Sequence, residues 1–127
     1  MTLEASQAGT WSWDAVANHG HWDEQCRALY GMQPDEPTTR TTWLKHVHPD
    51  DRVRLLEHLD QLAKPGAGML WTDDFRVLHP TKGQRWMTVL GHIDRDDGGW
   101  AVRFTGLNLD ITKRKEAEAA LAERERH

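Results

Sequence analysis

The stretch Met69–Leu109, MLWTDDFRVLHPTKGQRWMTVLGHIDRDDGGWAVRFTGLNL, decides the fold of this chain. Apolar and polar residues alternate along three parts of it, Met69–Leu78, Arg85–Asp94 and Trp100–Leu109, a pattern typical of half-buried β-strands. Turn residues separate these parts, and the second turn, Asp96–Gly99 (DDGG), is a strong hairpin signal. Three strands joined by tight turns form an antiparallel meander. One face of that meander is apolar, so another layer of structure must cover it.

A shorter hairpin is predicted near the N-terminus. Two tryptophans alternate with polar residues in Thr10–Asp14 (TWSWD), which favours a strand. The segment Asn18-His19-Gly20 has the composition of a turn, in which Gly20 can adopt a positive φ. His21–Asp23 would then be the short returning strand.

Three segments carry helix signals and would supply the covering layer. A brief helix is expected over Glu24–Tyr30, ended by Gly31, and a helical turn over Thr42–Val47. The longest helix should begin at Pro49 and run to about Lys64. Its apolar residues share one face, with two more along the edge of that face: Leu55, Leu59, Leu62 and Ala63, then Val53 and Leu56.

The C-terminal segment Lys113–His127, KRKEAEAALAERERH, is predicted to be a helix that does not belong to the core. Asp110 or Thr112 can serve as its N-cap. Its apolar face amounts to Ala117, Ala120 and Leu121, which is too narrow for burial. We interpret it as the first turns of a longer coiled coil, the alternative being a solvated tail.

Composition restricts the class of protein. A chain of 127 residues suits one domain, and its single cysteine excludes a disulfide framework or a cysteine-based zinc site. The net charge of −4, with basic residues spread along the chain, argues against nucleic-acid binding. No apolar run approaches the roughly 20 residues of a membrane span, and the start lacks the pattern of a secretory signal. We therefore expect a cytoplasmic domain that does not insert into a membrane, although its parent protein can still be membrane-anchored.

Five segments in order resemble the PAS sensory domain, in the form common in bacterial sensor histidine kinases and diguanylate cyclases. They are GTWSWD (Gly9–Asp14), LYGM (Leu29–Met32), WLKHVHPDDR (Trp43–Arg52), DFRVLHPTKGQRWM (Asp74–Met87) and GLNLDITKRKEAE (Gly106–Glu118). The last of these is the most specific, and the resemblance covers nearly the whole chain.

This resemblance implies an α+β PAS fold. A five-stranded antiparallel sheet would be covered on one face by the helices, with the first hairpin beside the last strand. The PAS domain would span residues 9–112, after an N-terminal extension of residues 1–8. Residues 113–127 would form the linker helix that carries the signal to an effector domain.

Two sets of site residues follow from these predictions. Inward-facing residues would line a pocket for a small ligand: Trp13, Leu29, Trp43, Val47, Leu59, Phe75, Val89 and Phe104. The junction between the sheet and the exit helix would transmit the signal: Asn108, Asp110, Ile111, Thr112, Lys113, Arg114 and Lys115.

Cofactors are not predicted. His58 is the one interior candidate for a haem ligand of the kind used by haem-binding members of the family, but it lies at the boundary of the leucine face. Cys26 lacks the Asn-Cys-Arg-Phe-Leu context of flavin-binding relatives, and we interpret it as a small core residue.

Metal binding and catalysis are likewise not predicted. The ligand types in His46-x-His48-x-Asp50 are explained by helix initiation, and His19-x-His21 is too short a motif to be specific. Asp73 and Asp74, as neighbours on a strand, must point to opposite faces and cannot act on one substrate. No nucleophile–base pair or phosphate-binding glycine loop is present.

The sequence therefore favours a non-catalytic input module of a signalling protein, covalently linked to a kinase or cyclase effector. It would form a homodimer through its C-terminal helix. The alternatives are a ligand-free dimerisation or interaction module, and a haem-based gas sensor that uses His58.

Overall fold

Five strands and four helices make up the part of the chain that the computed structural model describes, residues 7–126. The strands are β1 (Gly9–Asp14), β2 (His19–Trp22), β3 (Leu70–His79), β4 (Gly83–Arg95) and β5 (Ala101–Asp110). The helices are α1 (Glu24–Tyr30), α2 (Arg40–His46), α3 (Pro49–Leu62) and α4 (Thr112–Glu125). The predicted extension of residues 1–8 falls mostly outside the described residues, as does His127.

All five strands join one antiparallel sheet in the order β2-β1-β5-β4-β3. The meander is confirmed, with Phe75 opposite Met87 between β3 and β4, and Val89 opposite Asn108 between β4 and β5. β1 pairs along β5, where Trp13 lies opposite Phe104. The expected position of the first hairpin, beside the last strand, is therefore confirmed.

The inner face of the sheet and three helices enclose the core. Leu55 of α3 is fully buried, and Leu59 and Leu62 are each 6% exposed, so the predicted apolar face of this helix is confirmed. Val53, at the edge of that face, is 65% exposed. Each such leucine contributes about 1.5–3 kcal/mol when it leaves water. Packing therefore fixes the helix on the sheet.

Local hydrogen bonds set the helix boundaries. Asp23 accepts a hydrogen bond from the Cys26 N–H (2.7 Å) at the start of α1, and Gly31, with φ 72°, ends that helix as predicted. α2 begins at Arg40, two residues before the predicted start, because the Thr39 hydroxyl caps it. α3 begins at Pro49 as predicted, and it ends at Leu62, slightly before the predicted end.

The N-terminal turn differs from the prediction. His19 and Gly20 belong to β2, and the residue with positive φ is Asn18 (53°), so the turn precedes them. Asp14 stabilises this turn by accepting two backbone hydrogen bonds at 2.9 Å. Gly20 has another use, because a Cβ there would lie 2.6 Å from the Ser12 carbonyl oxygen. A glycine at this position therefore allows β1 and β2 to approach closely and does not form the turn.

None of the helices within residues 7–126 combines the length and the apolar character needed to cross a membrane.

Candidate functional site

A cavity of about 50 Å³ lies between the sheet and the helices. Half of its lining is aromatic: Trp11, Trp13, Trp22, Tyr30, Trp43 and Trp71. The remaining lining residues are Thr38, Thr39, Arg40, Leu59, Val89 and Asn108. The cavity is partly open, and the lining residues that are partly exposed mark its mouth.

The aromatic rings pack against one another mostly edge to face. The centroids of Trp11 and Trp71 are 5.7 Å apart, and those of Trp43 and Trp71 are 5.9 Å apart, with interplanar angles of 77° and 88°. Trp22 lies 4.8 Å from Tyr30. Each such pair adds about 0.5–1.5 kcal/mol beyond its area burial. The tryptophans thus form a closely packed wall. Because their bulky rings meet at steep angles, they leave the cavity between them.

A chain of buried hydrogen bonds runs from the cavity wall into the sheet. The Trp43 indole donates to the Tyr30 hydroxyl (3.1 Å), and Tyr30 donates to Asn108 Oδ1 (2.8 Å). The Asn108 amide in turn lies 3.9 Å from Cys26 Sγ. Burial raises the pKa of Tyr30 well above its ordinary value, so the hydroxyl stays protonated and remains a donor. Asn108 lies on β5, two residues before Asp110.

The eight residues predicted to line a pocket divide into two groups. Trp13, Trp43, Leu59 and Val89 lie on the cavity wall. The other four are not among the residues that line this cavity: Leu29, Val47, Phe75 and Phe104. The last three are at most 1% exposed within the packed core, and Leu29 is partly buried on α1. Trp13 packs against Phe104 (5.6 Å between ring centroids) and Trp43 against Phe75 (5.8 Å), and both tryptophans line the cavity.

Several lining residues were not predicted, although the sequence carried a signal for some of them. Period-two alternation places Trp11 on the same face of β1 as Trp13, and Trp71 on the same face of β3 as Phe75. The segment 38–40 carried no such signal, because it reads as an irregular loop and contacts the cavity only through tertiary packing.

The carboxylate of Asp110 holds the start of the exit helix. Its Oδ2 accepts a hydrogen bond from Arg85 Nε (2.9 Å), and its Oδ1 accepts one from the Thr112 N–H (2.9 Å). Burial would raise the pKa of Asp110, but hydrogen bonds from Thr112 and Arg85 outweigh it and hold the pKa below its ordinary value. The N-cap position belongs to Ile111, not to Asp110 or Thr112 as predicted. The capping carboxylate lies one residue earlier and still bonds the first helical N–H.

Trp86 of β4 forms the other half of this junction. Its backbone N–H donates to Thr112 Oγ1 (2.8 Å), and its carbonyl accepts from the Ile111 N–H (2.8 Å). The Lys115 ammonium lies 4.8 Å from the centroid of the indole ring, in cation–π range. The first turn of α4 is thus fixed to the sheet by backbone and side chain together.

The charged junction residues of this first turn make weaker ion pairs. Asp74 lies 3.5 Å from Arg114 and 3.6 Å from Lys115, in ion pairs that are partly exposed, and Lys113 is exposed. Exposed pairs of this kind contribute about 0–1 kcal/mol. The attachment of α4 to the sheet therefore depends mainly on the contacts of Asp110 and Trp86.

A buried ion pair connects α3 to the same region. Asp51 is 6% exposed. Its carboxylate accepts three hydrogen bonds from Arg76, from Nε (3.0 Å), from Nη2 (2.7 Å) and from the backbone N–H (2.8 Å). The guanidinium also lies 5.6 Å from the centroid of the Trp86 ring. Asp51 was predicted only to favour helix initiation, and its pairing with β3 was not visible in the sequence.

His58 and Cys26 do not fit the cofactors considered for them. The imidazole of His58 is bound to Asp73 (2.6 Å) and does not line the cavity. Cys26 is fully buried away from the wall, and burial raises the pKa of its thiol far above the usual range. The cavity, at about 50 Å³, is also small, since a cavity of roughly 150 Å³ holds benzene, a much smaller molecule than either cofactor. The residues present fit neither haem nor flavin.

The remaining candidate ligands of a metal are engaged in local contacts. His46 pairs with Glu36 (2.8 Å), and His48 Nδ1 accepts from the Asp50 N–H (3.0 Å). Within residues 7–126, no group of three or more His, Cys, Asp or Glu side chains is close enough to hold a metal ion. His19 and His21 lie edge to face at 5.2 Å.

This architecture is an α+β domain in which helices enclose a small cavity on one side of a five-stranded sheet, and a polar C-terminal helix begins at its edge. The family model described as the PAS fold matches residues 19–108. The chain belongs to the PAS-fold family.

Known proteins similar to this chain are sensors and kinases. It is 30% identical over its whole length to the sensor protein FixL of Bradyrhizobium diazoefficiens, covering 25% of that protein. It is 26% identical over 97% of its length to a blue-light-activated histidine kinase of Brucella ovis, covering 24% of that kinase. The chain thus spans about a quarter of the length of these relatives.

Solved structures show the same fold. A sensory box histidine kinase/response regulator from Burkholderia thailandensis superimposes with a TM-score of 0.79 and 26% identity, over 98% of this chain and 93% of that one. The N-terminal domain of a diguanylate cyclase with a PAS/PAC sensor from Marinobacter aquaeolei gives 0.73 and 23%, over 85% and 98%.

Proposed function

We propose that this chain is a non-catalytic sensory input module of a bacterial signalling protein, either a histidine kinase or a diguanylate cyclase. Residues 9–112 would be the sensory domain, and residues 113–127 the helix that joins it covalently to the effector. The names of its relatives, a sensor protein and histidine kinases, support this assignment.

The observation that carries the proposal is the buried hydrogen bond from Tyr30 to Asn108. Tyr30 lines the cavity, and Asn108 lies on β5 two residues before Asp110, which holds the exit helix. One rigid strand therefore joins the cavity wall to the base of α4. A change in cavity occupancy that moves Tyr30 would act on Asn108 and, through β5, on the hydrogen bonds of Asp110.

Transmission of this kind needs an element with two arrangements. The first turn of α4 is suited to it, because the bonds of Asp110 and Trp86 hold this turn to the sheet while the rest of the helix is exposed. With the bonds of Asp110 and Trp86 made, the helix is docked. With those bonds broken, α4 is free to change its angle to the sheet.

Hydrogen exchange of α4 in a Tyr30→Phe variant tests the proposal. Tyr30 bonds Asn108 and Trp43, which lie on β5 and α2 rather than on α4, so faster exchange across residues 113–121 would reveal transmission through Asn108. The matched control is Ile93→Val, a change in the core at a 2% exposed position of β4, with an expected cost of about 0.5–1.5 kcal/mol. Equal exchange in α4 of both variants would contradict the proposal.

A second candidate function is dimerisation. Leu90 and Leu107 lie opposite each other on β4 and β5 and are 44% and 37% exposed, which leaves an apolar pair on the outer face of the sheet. Leu121 of α4 is 53% exposed. Sedimentation of the chain with and without residues 117–127 tests the helix as an interface, and a Leu90→Glu variant tests the sheet. Equal sedimentation of all three would exclude both surfaces.

A further inference from the structure

We propose that the cavity binds a small carboxylate, whose apolar body packs against the tryptophan rings. This inference rests on the proposed sensory function and names the class of ligand that the module would detect. Three features of the lining support it: unpaired donors, charge and size.

Two buried N–H groups of the lining lack a hydrogen-bond partner among the described residues. These are the indole Nε1 of Trp11 and the Nε of Arg40. Trp11 is 7% exposed, so its N–H is removed from bulk water. Folded proteins pair nearly all of their buried donors, and a donor left unpaired is costly. Both groups donate, so the missing partner is an acceptor.

The charge of the lining favours an anionic acceptor. Arg40 is the one ionisable side chain among the lining residues apart from the protonated Tyr30, and no Asp, Glu or His takes part. Asp60 binds a terminal nitrogen of Arg40 (3.0 Å) and leaves the Nε without a partner. A planar guanidinium suits a planar carboxylate. Aromatic cages also attract ammonium groups, but an ammonium group offers no acceptor to the two unpaired N–H groups.

The size of the cavity limits the body of the ligand. At about 50 Å³ it has a third of the roughly 150 Å³ that holds benzene. Because benzene has six non-hydrogen atoms, this space holds an apolar body of about two, such as the ethyl group of propionate, with the carboxylate at the partly open side beside Arg40. The ring faces of Trp11, Trp43 and Trp71 contact a short alkyl group favourably and offer no partner to hydroxyl groups.

Indole ¹H–¹⁵N spectra of the 127-residue chain test the proposal directly. We expect sodium propionate to shift the indole resonance of Trp11 in a saturable manner, because the N–H gains an anionic acceptor. Trp100 is 53% exposed and outside the cavity, so its resonance should not move. Propionamide, which has the same shape without the charge, should bind at least about tenfold more weakly.

Two variants separate the charge from the shape. Arg40→Gln should weaken propionate at least about tenfold and leave the affinity for propionamide nearly unchanged. Trp11→Phe keeps an aromatic ring but removes the donor, and it should weaken both probes. The matched controls are Arg124→Gln, on the exposed part of α4, and Trp100→Phe, and both should bind propionate like the parent chain.

The inference is overturned if acetate, propionate and butyrate all leave the Trp11 resonance in place, or if propionamide binds as tightly as propionate. Its failure is distinguishable from failure of the sensory proposal. If propionate does not bind but Tyr30→Phe alters exchange in α4, only the ligand class is wrong. If propionate binds but neither propionate nor Tyr30→Phe alters hydrogen exchange in α4, the ligand class is right and transmission to the helix is wrong.

Discussion

Replacing Asp110 by alanine should release the exit helix from the sheet. The change removes the acceptor of the Thr112 N–H and the partner of Arg85, each at 2.9 Å in the folded chain. The backbone bonds between Trp86 and the start of α4 remain. The variant therefore loosens the docking of the helix without removing the helix itself.

The size of the effect follows from the two contacts. A lost capping bond costs about 0.5–2 kcal/mol, and a hydrogen bond to a charged group contributes about 1.5–3 kcal/mol. Arg85 and Asp110 are 27% and 22% exposed, so solvent screening brings the ion pair to the lower end of that range. Because one carboxylate makes both contacts, we expect about 2 kcal/mol in total, or about thirtyfold in a local opening equilibrium.

Amide hydrogen exchange followed by mass spectrometry measures this opening. Residues 113–121 should exchange about thirtyfold faster in Asp110→Ala, while protection of β3 and β4 changes little. Asp97→Ala, in the exposed hairpin turn, is the matched control and should leave α4 unaffected. Unchanged exchange across Lys113–Leu121 in Asp110→Ala would refute the assigned role of this carboxylate.

Three further predictions concern the cavity, the ion pair of α3 and haem. Tyr30→Phe should lower the free energy of unfolding by about 1–2 kcal/mol, because the buried Asn108 oxygen loses its donor; an unchanged urea midpoint would show that this bond contributes nothing. Burial would raise the pKa of Asp51, but hydrogen bonds from Arg76 outweigh it, so the folded pKa lies below its ordinary value. The ion pair therefore contributes fully to the free energy of unfolding above about pH 4, and this contribution is lost as the pH falls through the folded pKa. Thermal unfolding between pH 6 and pH 3 should therefore depend on pH less in Asp51→Asn than in the parent chain, and equal dependence would contradict this. Visible spectra with added haem should show no Soret band that depends on His58, because a carboxylate holds its imidazole outside the cavity; loss of such a band in His58→Ala would contradict the account.

Local patterns in the sequence were sufficient to predict the meander and the helices. Alternation in β4 predicts which of its residues are inward, and Met87, Val89 and Ile93 are at most 2% exposed. Gly31 ends α1 with a positive φ, because only the left-handed conformation closes that helix end. These features depend on residues close in sequence, where period and turn chemistry decide. The order of the strands came from the family resemblance, because local pattern does not determine how distant strands pair.

The turn before β2 shows where local reasoning fails. Asn18 and Gly20 both tolerate a positive φ, and composition alone does not choose between them. The choice depends on the pairing of β1 with β2, in which Gly20 must approach the Ser12 carbonyl closely. The same limit applies to the link between the cavity and β5. Tyr30 and Asn108 are 78 positions apart, and no periodicity predicts a hydrogen bond between them.

The cavity wall was predictable only in part. Inward-facing positions follow from strand periodicity, but the gap between side chains depends on the length and angle of the rings. Trp71 and Phe75 lie on the same face of β3, yet only Trp71 lines the cavity. Arg40 follows a loop whose path is determined by tertiary contacts, so its approach to the cavity carries no local signal.

The measurement that tests coupling between the cavity and the exit helix most directly is a double-mutant cycle of Tyr30→Phe and Asp110→Ala, with exchange of residues 113–121 as the readout. The two side chains do not contact each other, and independent sites add within about 0.3–0.5 kcal/mol. If β5 transmits the state of the cavity to α4, the cycle should give a coupling free energy of about 1 kcal/mol. Asp110→Ala already releases α4 from the sheet, so adding Tyr30→Phe should have little further effect on its exchange. Additive effects on α4 would contradict the account.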